Sequence, residues 1–183
     1  MELENLKMTV KSSNLTREVV EDFATNRNYN GTKIFPNLHR VLFRNDEFNT
    51  ETFWGLVLFY NFIQRAMDTN LERPSYDDYY NGWKIFIELY KLLKPKTCLF
   101  VGTTYANSLH HAINGTDLGA DEINWEDWIS NAYAKSSKLF HGDLETDLVF
   151  IRHTSQMFSW DKWNAFLSNR IGGQLEWLKK EVG

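Results

Sequence analysis

The stretch Thr97-Cys98-Leu99-Phe100-Val101-Gly102-Thr103-Thr104-Tyr105 decides the fold class. Its core, Cys98 to Val101, is a short unbroken apolar run that ends at a glycine. Such a run, bounded by turn residues, reads as a strand buried on both faces. Upstream, Tyr76 to Leu93 places Trp83, Phe86, Ile87, Tyr90 and Leu93 at helical spacing, and Lys94-Pro95-Lys96 stops that helix. Downstream, Gly102 marks the turn into a helix of about Thr104 to Ala112. Helix, buried strand and helix in succession are the local grammar of an α/β protein.

Working outward, Trp54 to Phe62 reads as a further buried strand, and Leu148 to Ile151 as a third that leads into His153-Thr154-Ser155. Helices are expected over Leu15 to Asn26, behind the capping residue Asn14, and over Lys33 to Arg44, with Pro36 in the first turn. Terminal helix is expected over Trp160 to Asn169 and Ile171 to Lys180, broken at Gly172-Gly173. Residues 114–142 read as an irregular acidic excursion, with short helical pieces around Trp125 to Tyr133. The order predicts a single domain over residues 1–183. Its fold is α/β, a three-layer α/β/α arrangement around a short, mostly parallel sheet.

Composition narrows the function. The chain has 183 residues, a net charge of −4 and a pI near 5.7. Proteins that coat nucleic acid are usually basic, because phosphate contacts dominate their affinity. Any binding to DNA is therefore expected to be weak to moderate and confined to a local groove. The single cysteine, Cys98, excludes an internal disulfide and reads as a buried, inert thiol. No apolar segment is long enough to span a bilayer, and the polar start Met1-Glu2-Leu3-Glu4 is unlike a signal peptide, so a cytoplasmic location is expected.

In open parallel sheets, ligands bind beyond the carboxyl ends of the strands. That rule singles out Asn61 to Gln64, Gly102 to Tyr105, and His153 to Ser159. An asparagine amide offers a donor and an acceptor together, enough to match the edge of one pyrimidine. Read alone, Asn61 is more simply a strand-end residue bonding backbone, and His153 a structural histidine. Their company changes that reading. Phe59-Tyr60-Asn61-Phe62, Asn81-Gly82-Trp83-Lys84-Ile85-Phe86, Leu99-Phe100-Val101-Gly102 and His153-Thr154-Ser155-Gln156-Met157-Phe158-Ser159 follow one another in the order and spacing found in one family. The chain resembles the uracil-DNA glycosylase superfamily, compact bacterial members above all, over roughly Thr32 to Trp163.

The resemblance implies a protein that takes a flipped-out base. Asn61, with Tyr60 beside it, would read the base, and His153 would stabilise negative charge on the departing base. Thr154, Ser155 and Ser159 would belong to a loop entering DNA, Thr154 standing where the family has proline. The implied activity is hydrolysis of the N-glycosidic bond of uracil or another modified base, without cofactor or metal. The alternative is an inactive relative that binds a nucleotide, DNA or a protein partner.

One departure bears on that choice. The family's first motif is a glycine-rich loop that positions the attacking water, and Met1 to Asn14 contain no glycine. Loss of a water-activating group typically removes ~10²–10⁴ of general-base acceleration. Asp22, Asp46 and Glu47 lie near enough in sequence to be weighed as substitutes, but read more simply as solvated charges. His110, His111 and His141 lack the spacing of a metal site. The acids Asp117 to Asp127 read as a solvated stretch, with a DNA-mimicking or partner-binding surface as the sharper alternative.

Overall fold

The structure is a computed structural model, and it describes residues 18, 20–22, 27, 33–67, 69, 72–155 and 157–183. The helix expected over Leu15 to Asn26 and the departure at Met1 to Asn14 fall largely or wholly outside these residues. The chain forms two compact units, one built from the segment ending at Asn61 together with Thr154–Gly183, the other from Phe62–His153.

The first unit is helical in its described part. Helix α1, Ile34–Phe43, buries Phe35, Leu38, Val41 and Leu42 on one face, the spacing that the sequence showed. Helix α2, Thr50–Leu56, is capped by Asn49, whose side chain accepts from the Thr52 amide at 2.9 Å. The long helix carrying the C-terminal segment, Trp160–Val182, packs on α1 and buries Trp163, Phe166 and Leu167. Asn164, buried in that contact, donates from Nδ2 to the Val41 carbonyl at 2.7 Å. The long helix kinks at Ile171 (φ −132°, ψ 35°), immediately before Gly172-Gly173, where helix propensity is weakest.

The strand expected over Trp54 to Phe62 is not formed. Trp54 lies in α2, and residues 57–61 run on without regular structure. Asn49 provides an N-cap that starts a helix, and a continuous apolar run cannot by its period distinguish strand from buried helix. The helix is short, and its rings interlock: Trp54 meets Phe35, Phe53 and Phe59 at centroid separations of 5.6, 4.9 and 5.7 Å.

The second unit is a sheet with helices. Helix α3, Tyr76–Leu93, spans the predicted residues and opens with a capping box between Ser75 and Asp78. Strand β1, Thr97–Val101, follows it, then a 3-10 turn at Tyr105–Ser108 and helix α4, Leu109–Ile113. The remaining strands are β2, Gly119–Ala120; β3, Asn124–Ile129; β4, Ala132–His141; and β5, Leu144–Ile151. The sheet runs β1-β5-β4-β2, with β3 also paired to β4. We number the long C-terminal helix, Trp160–Val182, α5.

Mixed helix and strand content agrees with the α/β expectation, but the sheet is mostly antiparallel. Among the described residues only β1 and β5 run parallel, and β2, β3 and β5 all pair antiparallel to β4. Two tight hairpins cause this. Ser130 and Asn131 both adopt positive φ (46° and 68°) between β3 and β4, and Gly142-Asp143 joins β4 to β5. Positive φ at both central residues is the mark of the turn whose twist matches a hairpin. The irregular excursion expected at 114–142 is thus largely strand.

Its polar residues concealed it. Lys135, Ser136 and Ser137 on β4 are buried, yet each has a partner. Lys135 donates to Asn107 Oδ1 at 2.8 Å, Ser136 to Glu126 Oε1, and Ser137 to the Asp121 carbonyl at 2.8 Å. Satisfied polar groups are compatible with burial. The apolar side of the sheet packs against α3 through stacked Phe100 and Phe150 (4.7 Å), with Trp83 at 5.1 Å from Phe100. Cys98, half-buried on β1, has its thiol pKa pushed up to about 12 by burial, which leaves it unreactive at neutral pH.

Candidate functional site

The parallel pair sets the site of the second unit. Val101 pairs with Ile151 at the carboxyl ends of β1 and β5, so Gly102 and Arg152 leave the sheet side by side, and His153 follows. This rim is where ligand-binding residues of parallel strands gather. Tyr105 folds back over Gly102 so closely that a Cβ on the glycine would lie 2.6 Å from the tyrosine ring. Tyr105 also stacks on Phe62 at 4.7 Å, and its carbonyl accepts from Trp83 Nε1 at 2.8 Å. Gly102 and Trp83 therefore act by packing the floor of the rim. Arg152 donates to the Ser130 carbonyl, tying the β3–β4 hairpin to the end of β5.

His153 is exposed at the surface, yet the protein crowding its ring lowers the imidazole pKa by desolvation. The neutral form is therefore favoured, and a neutral imidazole can present an N–H to a developing anion. The strand-end position expected for His153 is observed, two residues beyond the end of β5.

Asn61 is exposed, but it closes the irregular segment after α2 and is not carried at the end of a strand. Tyr60 beside it is half-buried. Asn61 and Tyr60 belong to the first unit, and His153 to the second.

The loop at 154–159 is held within the first unit by a residue that sequence reasoning missed. Asn37, buried on α1, donates from Nδ2 to the carbonyls of Thr154 and Ser155 at 2.9 and 3.0 Å. The available signal was an amide among the apolar positions of an amphipathic helix. Thr154, the first residue of the loop, is fully buried. Backbone anchoring by Asn37 turns it inward. Ser155 and Ser159 are half-buried, whereas Met157 is well exposed and has a left-handed φ of 54°. Phe158 anchors the loop, stacking on Trp163 at 6.1 Å.

The other candidates separate. His111 Nδ1 lies 2.8 Å from the Tyr76 hydroxyl, His141 Nε2 lies 3.0 Å from Asp117 Oδ2, and His110 is 4.0 Å from Glu122. Among the described residues no group of three His, Cys, Asp or Glu is placed to hold a metal ion. Asp46 pairs with Arg40 at 3.1 Å in the first unit. Asp22 and Glu47 are exposed there. Among the described residues no helix is long and apolar enough to cross a membrane.

Comparison with protein-family models, with curated proteins and with solved structures finds no match to this chain.

Proposed function

We propose that this chain is a uracil-DNA glycosylase-like protein that hydrolyses the N-glycosidic bond of uracil or another modified base in DNA. The observation that carries the reading is His153, exposed two residues past the end of β5, the strand that runs parallel to β1; desolvation lowers its imidazole pKa. Cleavage breaks the bond between the base nitrogen and the sugar carbon. The bonding pair leaves with the base as an anion, the sugar becomes oxocarbenium-like, and water adds to it. An N–H from His153 to the base oxygen stabilises the departing charge, and water supplies both the new sugar hydroxyl and the proton the base finally takes up. The family's three-layer α/β/α build and a cytoplasmic location belong to the same proposal.

The test is release of free base from uracil-containing oligonucleotides, single- and double-stranded. Base release should fall by about 10²-fold or more in His153→Ala, as for loss of one preorganised donor. The reading role that the resemblance assigns to Asn61 is tested by Asn61→Ala in the same assay. Wild-type protein that releases no base from any such oligonucleotide would remove the enzymatic claim.

A second reading, base or nucleotide binding without hydrolysis, is favoured by one observation: Asn61 lacks the strand that would hold its amide rigidly. Saturable binding of deoxyuridine or a short oligonucleotide, lost in His153→Ala and unaccompanied by base release, selects it.

A further inference from the structure

An asparagine followed by glycine is an intrinsically labile pair, because glycine has no side chain to shield its N–H from the neighbouring carboxamide. The chain has three such pairs, at 30–31, 81–82 and 114–115. The first lies outside the described residues. The fold treats the other two in opposite ways.

Asn81-Gly82 lies inside α3, where the Gly82 amide belongs to the helical ladder. Gly82 is also buried, with the Phe62 ring and carbonyl against it. Turning the peptide between these two residues means unwinding the helix. Asn114-Gly115 instead ends α4. Asn114 is the C-cap, and Gly115 follows with a left-handed φ of 77°, the conformation in which helices commonly end on glycine. Both residues are exposed, and a Cβ at Gly115 would meet nothing within 4 Å. The amides on either side are held, Asn114 by the His111 carbonyl at 3.3 Å and Thr116 by that of Ile113 at 3.0 Å. The peptide between Asn114 and Gly115 is not held. Among the described residues neither the Gly115 N–H nor the Asn114 carbonyl joins a backbone hydrogen bond. Ring closure requires this peptide plane to turn away from the Asn114 ψ of 127°, and glycine follows such a rotation at little steric cost.

We propose that Asn114 is a site of spontaneous self-modification, losing its amide to become aspartate and isoaspartate while the chain stays folded. The Gly115 nitrogen attacks Asn114 Cγ, the Cγ–Nδ2 bond breaks, and the displaced proton leaves with the ammonia. Water then opens the resulting cyclic imide. Attack at Cγ gives aspartate, and attack at the main-chain carbonyl gives isoaspartate, which lengthens the backbone by one carbon. That carbon enters a tied turn. Thr116 Oγ1 donates to the Ile113 carbonyl at 2.7 Å and accepts from the Leu118 amide at 3.2 Å. Asp117 is held by Lys91 of α3 at 2.6 Å and by His141 of β4 at 3.0 Å. The extra length works against those bonds, so isoaspartate at 114 loosens the turn from α3 and β4. None of this depends on the reading of His153.

Peptide mapping by mass spectrometry tests the proposal on the full chain, kept over time at mildly alkaline pH both folded and in urea. Mapping keeps Asn30 apart from the other two sites. In urea both Asn81 and Asn114 should convert. In the folded protein Asn114 should convert within about tenfold of its unfolded rate, whereas Asn81 should be slowed at least about a hundredfold, because its peptide opens only with the helix. Asn114→Gln, whose side chain closes a larger and slower-forming ring, should hold its melting temperature through the incubation while that of the wild type falls. The proposal is overturned if Asn114 keeps its amide in the folded protein while the unfolded chain loses it, or if Asn81 converts as fast as Asn114 in the folded protein. A melting temperature unchanged in protein shown to carry isoaspartate at 114 overturns the loosening of the turn.

Discussion

His39 shows how one buried side chain couples this protein to pH. It is 1% exposed in the first unit, with Phe48, Phe53 and Trp54 around its ring at 5.0 to 5.8 Å. Desolvation first, and the nearby Arg27 charge second, lower its pKa to about 4. A histidine depressed in the folded state contributes stability that is present above its unfolded pKa, near 6.5, and lost as pH falls toward 4. The loss is about 3 kcal/mol at ~1.4 kcal/mol per unit. Urea midpoints measured from pH 7 to pH 4 should drop accordingly, and His39→Phe should flatten that drop. A wild-type midpoint unchanged across this window contradicts the assignment. Thr154 makes the opposite case. Its hydroxyl is buried without a hydrogen-bond partner, which costs roughly 1–3 kcal/mol. Thr154→Val should leave stability unchanged or raise it by about 1 kcal/mol in chemical denaturation. A clear loss would mean that the hydroxyl is satisfied in solution.

At the scale of elements, α3 was the easiest to read. Ser75 and Asp78 cap its start reciprocally, Arg65 grips Asp78 through Nε and Nη2 at 2.6 and 2.9 Å, and Lys94 closes it in a left-handed conformation. Those are local signals, and they sit in the chain in the open. Gly82 within the helix is different. A Cβ there would lie 2.5 Å from the Phe62 ring and 2.6 Å from the Phe62 carbonyl oxygen. Alanine should raise helix propensity by about 1 kcal/mol, yet overpacking against backbone costs typically 1–3 kcal/mol. Gly82→Ala is therefore expected to lower the melting temperature, and a rise would show that Phe62 yields freely. The hairpins were less legible. Ser130-Asn131 and Gly142-Asp143 supply the turns, but the polar run Lys135-Ser136-Ser137-Lys138 between them lacks the apolar alternation of a strand. Its buried members become strand residues because Asn107, Glu126 and the Asp121 backbone come to meet them.

For the whole molecule, charge is the property that bears on function. A net charge of −4 on 183 residues opposes the approach of duplex DNA, so whatever affinity exists must come from few phosphate contacts. Each neutralised phosphate contributes about −0.9 to the slope of log K against log salt. Binding of a uracil-containing duplex should therefore show a shallow slope, of magnitude below about 4, in titrations between 50 and 200 mM salt. A slope near that of a basic DNA-coating protein would contradict the expectation of a small local groove.

The amino-acid order by itself determined the elements whose causes are local: the amphipathic spacing of α1, α3 and α5, the break near Gly172-Gly173, the apolar runs of β1 and β5, and the exit of His153 from β5. It did not determine strand direction, the helical state of Trp54, or the inward turn of Thr154. Those outcomes depend on partners distant in the chain. Asn37 reaches the backbone of residues more than a hundred positions away, and β4 forms only because neighbours satisfy its buried polar groups. Periodicity records which side of an element is apolar, whereas pairing direction and buried hydrogen bonds are decided by what the folded chain brings alongside it.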